Sequence, residues 1–229
     1  MAITKTKEHP ILFNTEMVKA ILEGGKTQTR RVIMAQTGEW KGKQPIDVLP
    51  MKIPNEWVDL MQHDPNRGQV FKCRYGQVGD KLWFKEAWAT EKRLDHLEPS
   101  EIGNAAIVPL WYKADDNPVI DGEPERGKWR SGRFMPKWAA RIWLEITKVR
   151  VEKLQEITEQ DTINEGCQLI AKTIQHFELK PKPHFTEIER PFIHRDHFIG
   201  LWDSLNAKRG YGWDTNPWVW VFEFKKVKP

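Results

Sequence analysis

A dense group of cationic and hydroxyl side chains follows two adjacent glycines near the start of the sequence. In the stretch AILEGGKTQTRRVI, a short apolar run is followed by Gly24 and Gly25. The next six residues include Lys26, Thr27, Thr29, Arg30 and Arg31. Glycine lets a backbone approach a ligand closely, and lysine and arginine bind anions and carbonyl oxygens. The stretch therefore suits the wall of a polar binding site, and a solvated loop is the alternative interpretation.

A helix and a strand must position these side chains. Asn14 or Thr15 can cap a helix that ends at the two glycines and has this apolar stripe: Met17, Val18, Ile21 and Leu22. From 27 to 33 the chain is expected to be extended, with Thr29 and Arg31 on one face. Because neighbouring residues on a strand point to opposite faces, only one of Arg30 and Arg31 can face a cleft, and the other is expected in solvent.

Further strands are expected in the segments 79–88, 142–151 and 217–224. The first is entered through a tight turn at Gly79 and Asp80. In the second, the apolar residues change face between Ile146 and Val149, which indicates a bulge or a bend of the kind that closed barrels need. The third is apolar on both faces, which is typical of a strand covered on both sides.

Two more helices complete the predicted core. Thr158 can cap a short helix that ends at Glu165 and Gly166, and a second amphipathic helix contains Phe198, Leu201, Trp202 and Leu205. Several strands joined by a few short helices predict an α+β domain built on a small β-barrel.

The chain is expected to be a single domain, 1–229, with three insertions. The core segments are about 10–35, 76–90, 129–170 and 196–226. The proline-punctuated segment 36–75 and the acidic segment 91–128 read as irregular insertions, and so does the charged, proline-rich segment 171–195.

Composition narrows the class of protein only modestly. A chain of 229 residues with 39% hydrophobic and 30% charged residues suits one globular domain, and a net charge of +4 argues weakly for a polyanionic partner. Cys73 and Cys167 form no CxxC motif, so reduced thiols in a cytoplasmic protein are the simpler expectation. The N-terminal segment lacks the apolar stretch of a signal peptide, and no membrane span is expected.

Two later segments mix basic and aromatic side chains as single-stranded nucleic-acid sites do. Segment 129–141 contributes three candidate binding residues: Arg133, Lys137 and Trp138. Segment 208–214 contributes three more: Arg209, Tyr211 and Trp213. Aromatic residues turned into the core beside a charged edge are the alternative, since large aromatics dominate core burial in a chain with 12 tryptophans.

No metal or other cofactor is expected. His194 and His197 have the i, i+3 spacing of a helix, but no further ligands stand out in the sequence. The carboxylates between Asp115 and Glu123 do not have the spacing of a calcium-binding loop, and we interpret them as a turn.

The sequence resembles the ASCH-domain proteins of the PUA-like superfamily, in particular the long members encoded by bacteriophages and prophages. Four matching segments occur in the expected order: ILEGGKTQTRR (21–31), GDKLWFKEAW (79–88), MPKWAARIWLEITKVRVEKLQEITEQDTINEG (135–166) and LWDSLNAKRGYGWDTNPWVWVFEFK (201–225). The resemblance implies a PUA-like (ASCH) small β-barrel with a few short helices and loop insertions. It also implies a cleft that binds nucleic acid or a nucleotide-like ligand.

The resemblance also implies a set of site residues. A small bacterial ASCH enzyme hydrolyses the acetyl amide of acetylcytidine with a lysine, a threonine and a glutamate. These positions correspond to Lys26, Thr29 and Glu165, which the resemblance implies as catalytic. The motif G-x-K-x-x-T-x-R falls on Gly24, Lys26, Thr29 and Arg31, and the resemblance implies Arg31 and Gly25 as substrate-binding residues.

The three residue types can act together. Threonine is a weak nucleophile unless a neighbouring base takes its proton, and a lysine can do so when burial lowers its pKa. A carboxyl group can then protonate the leaving amine. Glu165 also stands at the C-terminal end of a predicted helix, where the helix dipole disfavours a negative charge. A compensating role is therefore expected, and a structural ion pair with Lys26 or Arg31 is the alternative.

These observations favour a metal-independent amidohydrolase acting on an N-acylated, acetylcytidine-like base or nucleoside. One alternative is a non-catalytic reader that binds RNA or DNA. Another is a ribonuclease-type ASCH protein, in which Lys26 and Glu165 would act on a phosphodiester. The expected partner is RNA, DNA or a modified nucleoside, and the sequence leaves the oligomeric state open.

Overall fold

The computed structural model of the protein describes residues 6–34, 48–50, 56–59, 69–102, 108–115, 124–167 and 192–228. Its strands and α-helices are β1 (Glu8–Leu12), α1 (Thr15–Leu22), β2 (Gln28–Val32), β3 (Val48–Pro50), β4 (Glu56–Asp59), β5 (Gln69–Lys72), β6 (Lys81–Lys85), β7 (Trp88–Ala89), β8 (Trp111–Tyr112), β9 (Trp143–Lys153), α2 (Glu159–Asn164), α3 (Phe192–Asn206) and β10 (Trp218–Val227). Residues 116–123, which hold most of the turn predicted between Asp115 and Glu123, and most of the predicted insertion at 171–195 lie outside the described residues.

A five-stranded sheet forms the centre of the fold, in the order β1-β6-β9-β10-β2. β1 pairs with β6 in parallel, and the other neighbours pair antiparallel. The described residues thus form the predicted α+β fold, with the GGKTQTR stretch leading into the edge strand β2.

The described part of the main sheet is not closed into a barrel, because β1 and β2 are its two edges. The chain leaves β1 at Phe13 and caps α1 with Asn14, so β1 ends before its backbone can pair with β2. Instead, Nη2 of Arg31 on β2 donates to the carbonyl oxygen of Leu12 at 3.0 Å. A side chain therefore links the two edges where the sequence predicted backbone closure.

β10 is buried on both faces, as its sequence predicts. Val219 and Val221 lie in an apolar cluster with residues of α3, whereas Trp220 and Phe222 lie in a second cluster with Ile33. The largest apolar cluster packs α1 against β1, β6 and β9. The sheet is therefore covered by helices on more than one side, which matters for the side chains of β2.

β9 contains the bulge that the change of face predicts. Lys148 pairs with Glu223, but Ile146 pairs with the next residue, Phe224, which leaves Thr147 as the extra residue of β9. An extra residue increases the local bend of a strand. β9 can therefore pair with β6 near its start and with β10 over its whole length.

The three helices occur where the sequence predicts them. Asn14 caps α1 by accepting from the backbone N–H of Met17 at 2.8 Å, although Leu22, expected in the buried stripe, is 36% exposed. Thr158 and Asp161 form a capping box at the start of α2. None of the described helices combines the length and the hydrophobicity needed to cross a bilayer.

Two predicted insertions contain regular structure. The prediction of an irregular segment at 36–75 is wrong, because β3, β4 and β5 form an antiparallel sheet there. Pro50 stands at the end of β3, where a missing N–H interrupts no ladder. In the segment 91–128, β8 pairs with β7, so the predicted strand at 79–88 is divided into β6 and β7.

Candidate functional site

Lys26 and Glu165 meet at the ends of two helices. After α1, the chain turns through Gly24 with φ 78°, and the backbone N–H groups of Gly25 and Lys26 both donate to the Ala20 carbonyl. Glu165 is the C-terminal cap of α2 and forms an isolated antiparallel bridge with Lys26. Residues that are 139 positions apart in sequence are thus joined through their backbones as well as their side chains.

The ammonium group of Lys26 is enclosed by Glu165. Nζ lies 2.5 Å from Oε2 of the carboxylate and donates to the Glu165 backbone carbonyl at 3.0 Å. The Lys26 side chain is 0% exposed and that of Glu165 only 4% exposed. Burial lowers the pKa of Lys26 from its ordinary value, and the adjacent carboxylate opposes that shift only in part.

Gly166 fits the backbone closely against this pair. Its φ of 91° is in the left-handed region, and a Cβ there would lie 3.1 Å from Cβ of Lys26 and 3.0 Å from Cβ of Ala20. A side chain at this position would therefore push against the residue that carries the ammonium group.

Arg30 is the second cation on Glu165, which the sequence did not predict. Its Nη1 lies 3.2 Å from Oε1 of Glu165, while Nη2 contacts Glu152 at 2.5 Å and Asp161 at 3.1 Å. Arg30 is 2% exposed, so the expectation of a solvated side chain is wrong. The expectation assumed that one face of β2 meets water, but that face is covered by α2, α3 and the acidic residues of β9.

The charges extend away from Glu165 through Arg150. Its guanidinium donates to Glu152, Asp161 and Glu223 at 2.7–2.9 Å. Burial alone would raise the pKa of Asp161, but the Thr158 N–H, Arg30 and Arg150 together lower it to about 2. The network therefore keeps Asp161 charged and fixes the orientation of Arg30.

Arg31 lies near Lys26, since both cations lie over the ring of Phe13, and Thr29 is joined to Arg31. Thr29 is 0% exposed, and its Oγ1 accepts from Nη1 of Arg31 at 2.9 Å. Arg31 also donates to the carbonyl oxygens of Arg30 and Leu12, and its guanidinium lies 5.0 Å from the ring centre of Phe13. The hydroxyl that the resemblance assigns as the nucleophile is thus covered in this structure.

A cavity of about 570 Å³ adjoins these residues. Its walls are residues 12–17, 30–32, 34, 74–75, 87, 131–132, 165, 198, 201–202, 205–206 and 209. Glu165, Arg30 and Arg31 face it, whereas Lys26 and Thr29 lie behind its wall. A volume of this size suits a nucleoside or another small polar molecule.

The other predicted site residues have different surroundings. Arg209 lines the cavity. Gly25 is half-buried in the turn after α1. Arg133 is exposed and Lys137 pairs with Glu8, both away from the cavity wall.

The three predicted aromatic residues pack within the described fold. The Trp138 ring meets Trp88 edge-on at 6.1 Å, and Trp213 meets Phe198 edge-on at 6.4 Å. The backbone carbonyl of Tyr211 accepts from the Trp202 indole at 2.8 Å. The structure does not bring these rings to the cavity wall.

Several contributors to the site were missed in the sequence. Arg74 and Tyr75 line the cavity but stand at the end of a segment that was interpreted as an insertion. Glu152 and Asp161 also hold Arg30 and were missed. For Glu152 a signal was available in the segment RVE, where it stands two residues after the basic Arg150.

No group of three or more histidine, cysteine, aspartate and glutamate side chains suited to a metal ion occurs within the described ranges. His194 and His197 are half-buried on α3, and their Nδ1 atoms have no hydrogen-bond partner. Burial raises the pKa of both Cys73 and Cys167 to about 12, so neither thiol is activated.

The Lys26–Glu165 pair has the features of a proton-transfer site. Burial lowers the pKa of Lys26 and so favours loss of its proton, and the Glu165 carboxylate lies within hydrogen-bond distance of that ammonium group. Glu165 also faces the cavity, so the pair lies at the cavity wall. Comparison with known proteins adds nothing to this description, since the chain matches no family model, no curated protein and no solved structure.

Proposed function

We propose that this protein is a PUA-like, ASCH-type amidohydrolase that removes an acyl group from the amine of a modified base or nucleoside without a metal ion. The observation that carries the proposal is the fully buried Lys26, paired at 2.5 Å with a carboxylate that faces a nucleoside-sized cavity. The position of the GGKTQTR motif at the entry to an edge strand of an α+β core supports the family assignment.

The proposed reaction uses the neutral form of the pair. The Thr29 hydroxyl attacks the acyl carbon and gives its proton to the Lys26 amine, while the Arg31 guanidinium stabilises the charge that develops on the carbonyl oxygen. The bond from carbon to nitrogen then breaks as Glu165 protonates the leaving amine. Water hydrolyses the resulting threonine ester, which releases the carboxylic acid and restores the hydroxyl group.

Substrate binding has to uncover the nucleophile for this sequence of steps. Thr29 is buried under Arg31, so the substrate carbonyl must replace Thr29 Oγ1 as the acceptor of the guanidinium N–H. Arg31 would then turn from covering the hydroxyl to polarising the carbonyl.

The test is acetate release from acetylcytidine and a panel of other N-acyl nucleosides. We expect release by the wild-type protein and a loss of roughly 10²–10⁴-fold in Lys26→Ala, Thr29→Ala and Glu165→Gln, as for the removal of acid–base or nucleophilic groups. Arg93→Gln, at an exposed arginine outside the cavity wall, is the matched control and should keep full activity. An intact panel in the presence of folded wild-type protein would refute the hydrolase.

A non-catalytic reader is the second candidate, and the burial of Thr29 favours it. If the hydroxyl stays covered with ligand bound, the cavity can hold a base or nucleoside without any chemistry on it. We then expect saturable binding of a nucleoside or of single-stranded RNA or DNA, an intact N-acyl panel, and no effect of Thr29→Ala on affinity. Strand cleavage that is lost in Glu165→Gln would instead identify a ribonuclease.

A further inference from the structure

Within the described ranges, four arginine side chains face the cavity, and two of them already have strong partners. Arg30 is bound to the carboxylates of Glu152, Asp161 and Glu165. Arg31 donates to the Thr29 hydroxyl and to two backbone carbonyls. Neither guanidinium needs a ligand to complete its hydrogen bonds.

Arg74 and Arg209 differ, because neither pairs with a carboxylate among the residues that the structure describes. Both are exposed at the cavity wall, and each lies over a tyrosine ring: Arg74 is 5.3 Å from the ring centre of Tyr75, and Arg209 is 5.8 Å from that of Tyr211. Stacking on a ring leaves the N–H edge of a guanidinium available for an anion.

The hydrogen bonds of Arg209 are weak ones. Nη1 donates to Oδ1 of Asn206 at 3.3 Å, and Nη2 lies 4.0 Å from the sulfur of Met34. These contacts hold the side chain against the wall, and three of its five N–H donors remain for other acceptors.

The charge on the cavity wall also favours an anion. Of the residues that the structure describes, the acidic ones that face the cavity are Glu16 and Glu165, and Glu165 is neutralised by Lys26 and Arg30. Three guanidinium groups (those of Arg31, Arg74 and Arg209) therefore face one uncompensated carboxylate. A free nucleoside is neutral and would leave that excess positive charge unused.

We propose that the ligand of this cavity carries a phosphate group, which Arg74 and Arg209 bind at the rim. The ligand is then a nucleotide, either free or within a strand, in preference to a free nucleoside. This inference rests on the proposed nucleoside site and adds to it the group that selects the substrate. Glu16 makes the α1 side of the cavity less suitable for the phosphate.

The experiment is a calorimetric titration of the full-length protein with cytidine, cytidine 5′-monophosphate and a short oligocytidylate at low and moderate salt. We expect the phosphorylated ligands to bind about tenfold more tightly than cytidine or better, as one charge-assisted pair contributes. If cytidine 5′-monophosphate binds as much more tightly than cytidine as the oligocytidylate does, the ligand is a free nucleotide. If only the oligocytidylate binds more tightly than cytidine, the ligand is a phosphodiester within a strand.

Arg74→Gln and Arg209→Gln should each remove much of this preference while leaving cytidine affinity within about twofold, and the double variant should remove it entirely. Each substitution should also reduce, by about one unit, the slope of the logarithm of the oligonucleotide binding constant against the logarithm of the salt concentration. Arg93→Gln, which removes the same charge at an exposed position outside the cavity wall, is the matched control and should behave as the wild type.

Equal affinity for all three ligands, or a phosphate preference that survives in the double variant, would overturn the inference. Equally fast acetate release from acetylcytidine and from its 5′-phosphate would also overturn the phosphate inference, but it would support the amidohydrolase proposal. A phosphate preference without acetate release retains the inference and leaves the protein a reader. The absence of binding by all three ligands contradicts both proposals.

Discussion

The carboxylate of Glu165 is held at both of its oxygens, by Lys26 at Oε2 and by Arg30 at Oε1. A carboxylate in this geometry cannot turn away from the cavity without leaving a buried cation unpaired. Arg30 therefore fixes the orientation of the Glu165 carboxylate. The helix dipole at the end of α2, which disfavours a negative charge, is offset by the same two cations.

Substitution of Arg30 by glutamine should destabilise the protein by about 3–5 kcal/mol, because it leaves buried carboxylates without their partner. The measurement is the free energy of unfolding from urea denaturation. Arg133→Gln, at an exposed position, should change that free energy by less than about 0.5 kcal/mol. A loss below 1 kcal/mol for Arg30→Gln would show that the ion pairs are not maintained in solution.

Asp161 gives the same network a defined response to acid. Its folded pKa of about 2 lies below the value of an unfolded aspartate, so it stabilises the fold above the unfolded pKa and this contribution is lost as the pH falls toward 2. Wild-type protein should lose about 1–2 kcal/mol more than Asp161→Asn between pH 5 and pH 2, allowing for partial exposure. Denaturation curves at several pH values for the wild type, Asp161→Asn and an exposed control, Asp214→Asn, measure this difference. The prediction is contradicted if the free energy of unfolding changes equally with pH in Asp161→Asn and in the control.

At the scale of elements, the site depends on how the turn after α1 fits the end of α2. Backbone hydrogen bonds join these two segments, with Thr27 N–H donating to the Asn164 carbonyl at 2.8 Å. Gly166 packs against Lys26 where the segments touch. The distance between the Lys26 and Glu165 side chains is therefore set by backbone contacts as well as by their charges.

Gly166→Ala and Gly24→Ala form a matched pair that tests this fit. Both glycines have positive φ, but a Cβ at Gly24 meets nothing within 4 Å, whereas at Gly166 it meets Lys26 and Ala20. We expect Gly24→Ala to cost about 1 kcal/mol in stability and to keep activity, since only the backbone conformation is penalised. Gly166→Ala should cost about 1–3 kcal/mol and also lower acetate release, because overpacking displaces Lys26. Equal effects of the two substitutions on stability and activity would exclude close packing as the cause.

The element boundaries themselves followed from local sequence signals. Asn14 and Thr158 are N-caps whose side chains bond backbone groups three residues away, so nothing outside the helix is required to recognise them. The bulge at Thr147 followed from a change in the apolar period, which is also local. The sheet of β3, β4 and β5 was missed because prolines near strand ends resemble prolines in loops.

At the scale of the whole molecule, the cavity joins elements from distant parts of the chain. α1, β2, the segment 74–75 and α3 all contribute to its wall. A ligand in the cavity contacts all of them at once, so its binding energy adds to the stability of the complete fold and not to that of one element.

A nucleotide at about 100 times its dissociation constant should raise the free energy of unfolding by about 2.7 kcal/mol. Thermal denaturation in increasing concentrations of cytidine 5′-monophosphate measures this. Leu205→Trp provides the control, because Leu205 lines the cavity and is 46% exposed, so a larger ring can fill the cavity without entering the core. This variant should fold with its own stability unchanged within about 1 kcal/mol and lose the ligand-dependent shift. A shift of equal size in Leu205→Trp would place the ligand elsewhere.

The sequence by itself determined the helices, their caps, the doubly buried strand β10 and the chemical types available for a site. These follow from hydrogen bonds and periodicities that span only a few residues. The tertiary structure alone decided which groups meet: it buried Arg30, covered the Thr29 hydroxyl with Arg31, and brought Glu165 from 139 positions away onto Lys26. Burial and charge pairing depend on contacts between distant segments. The alternation of side chains along a single strand cannot predict which segment will cover each of its faces.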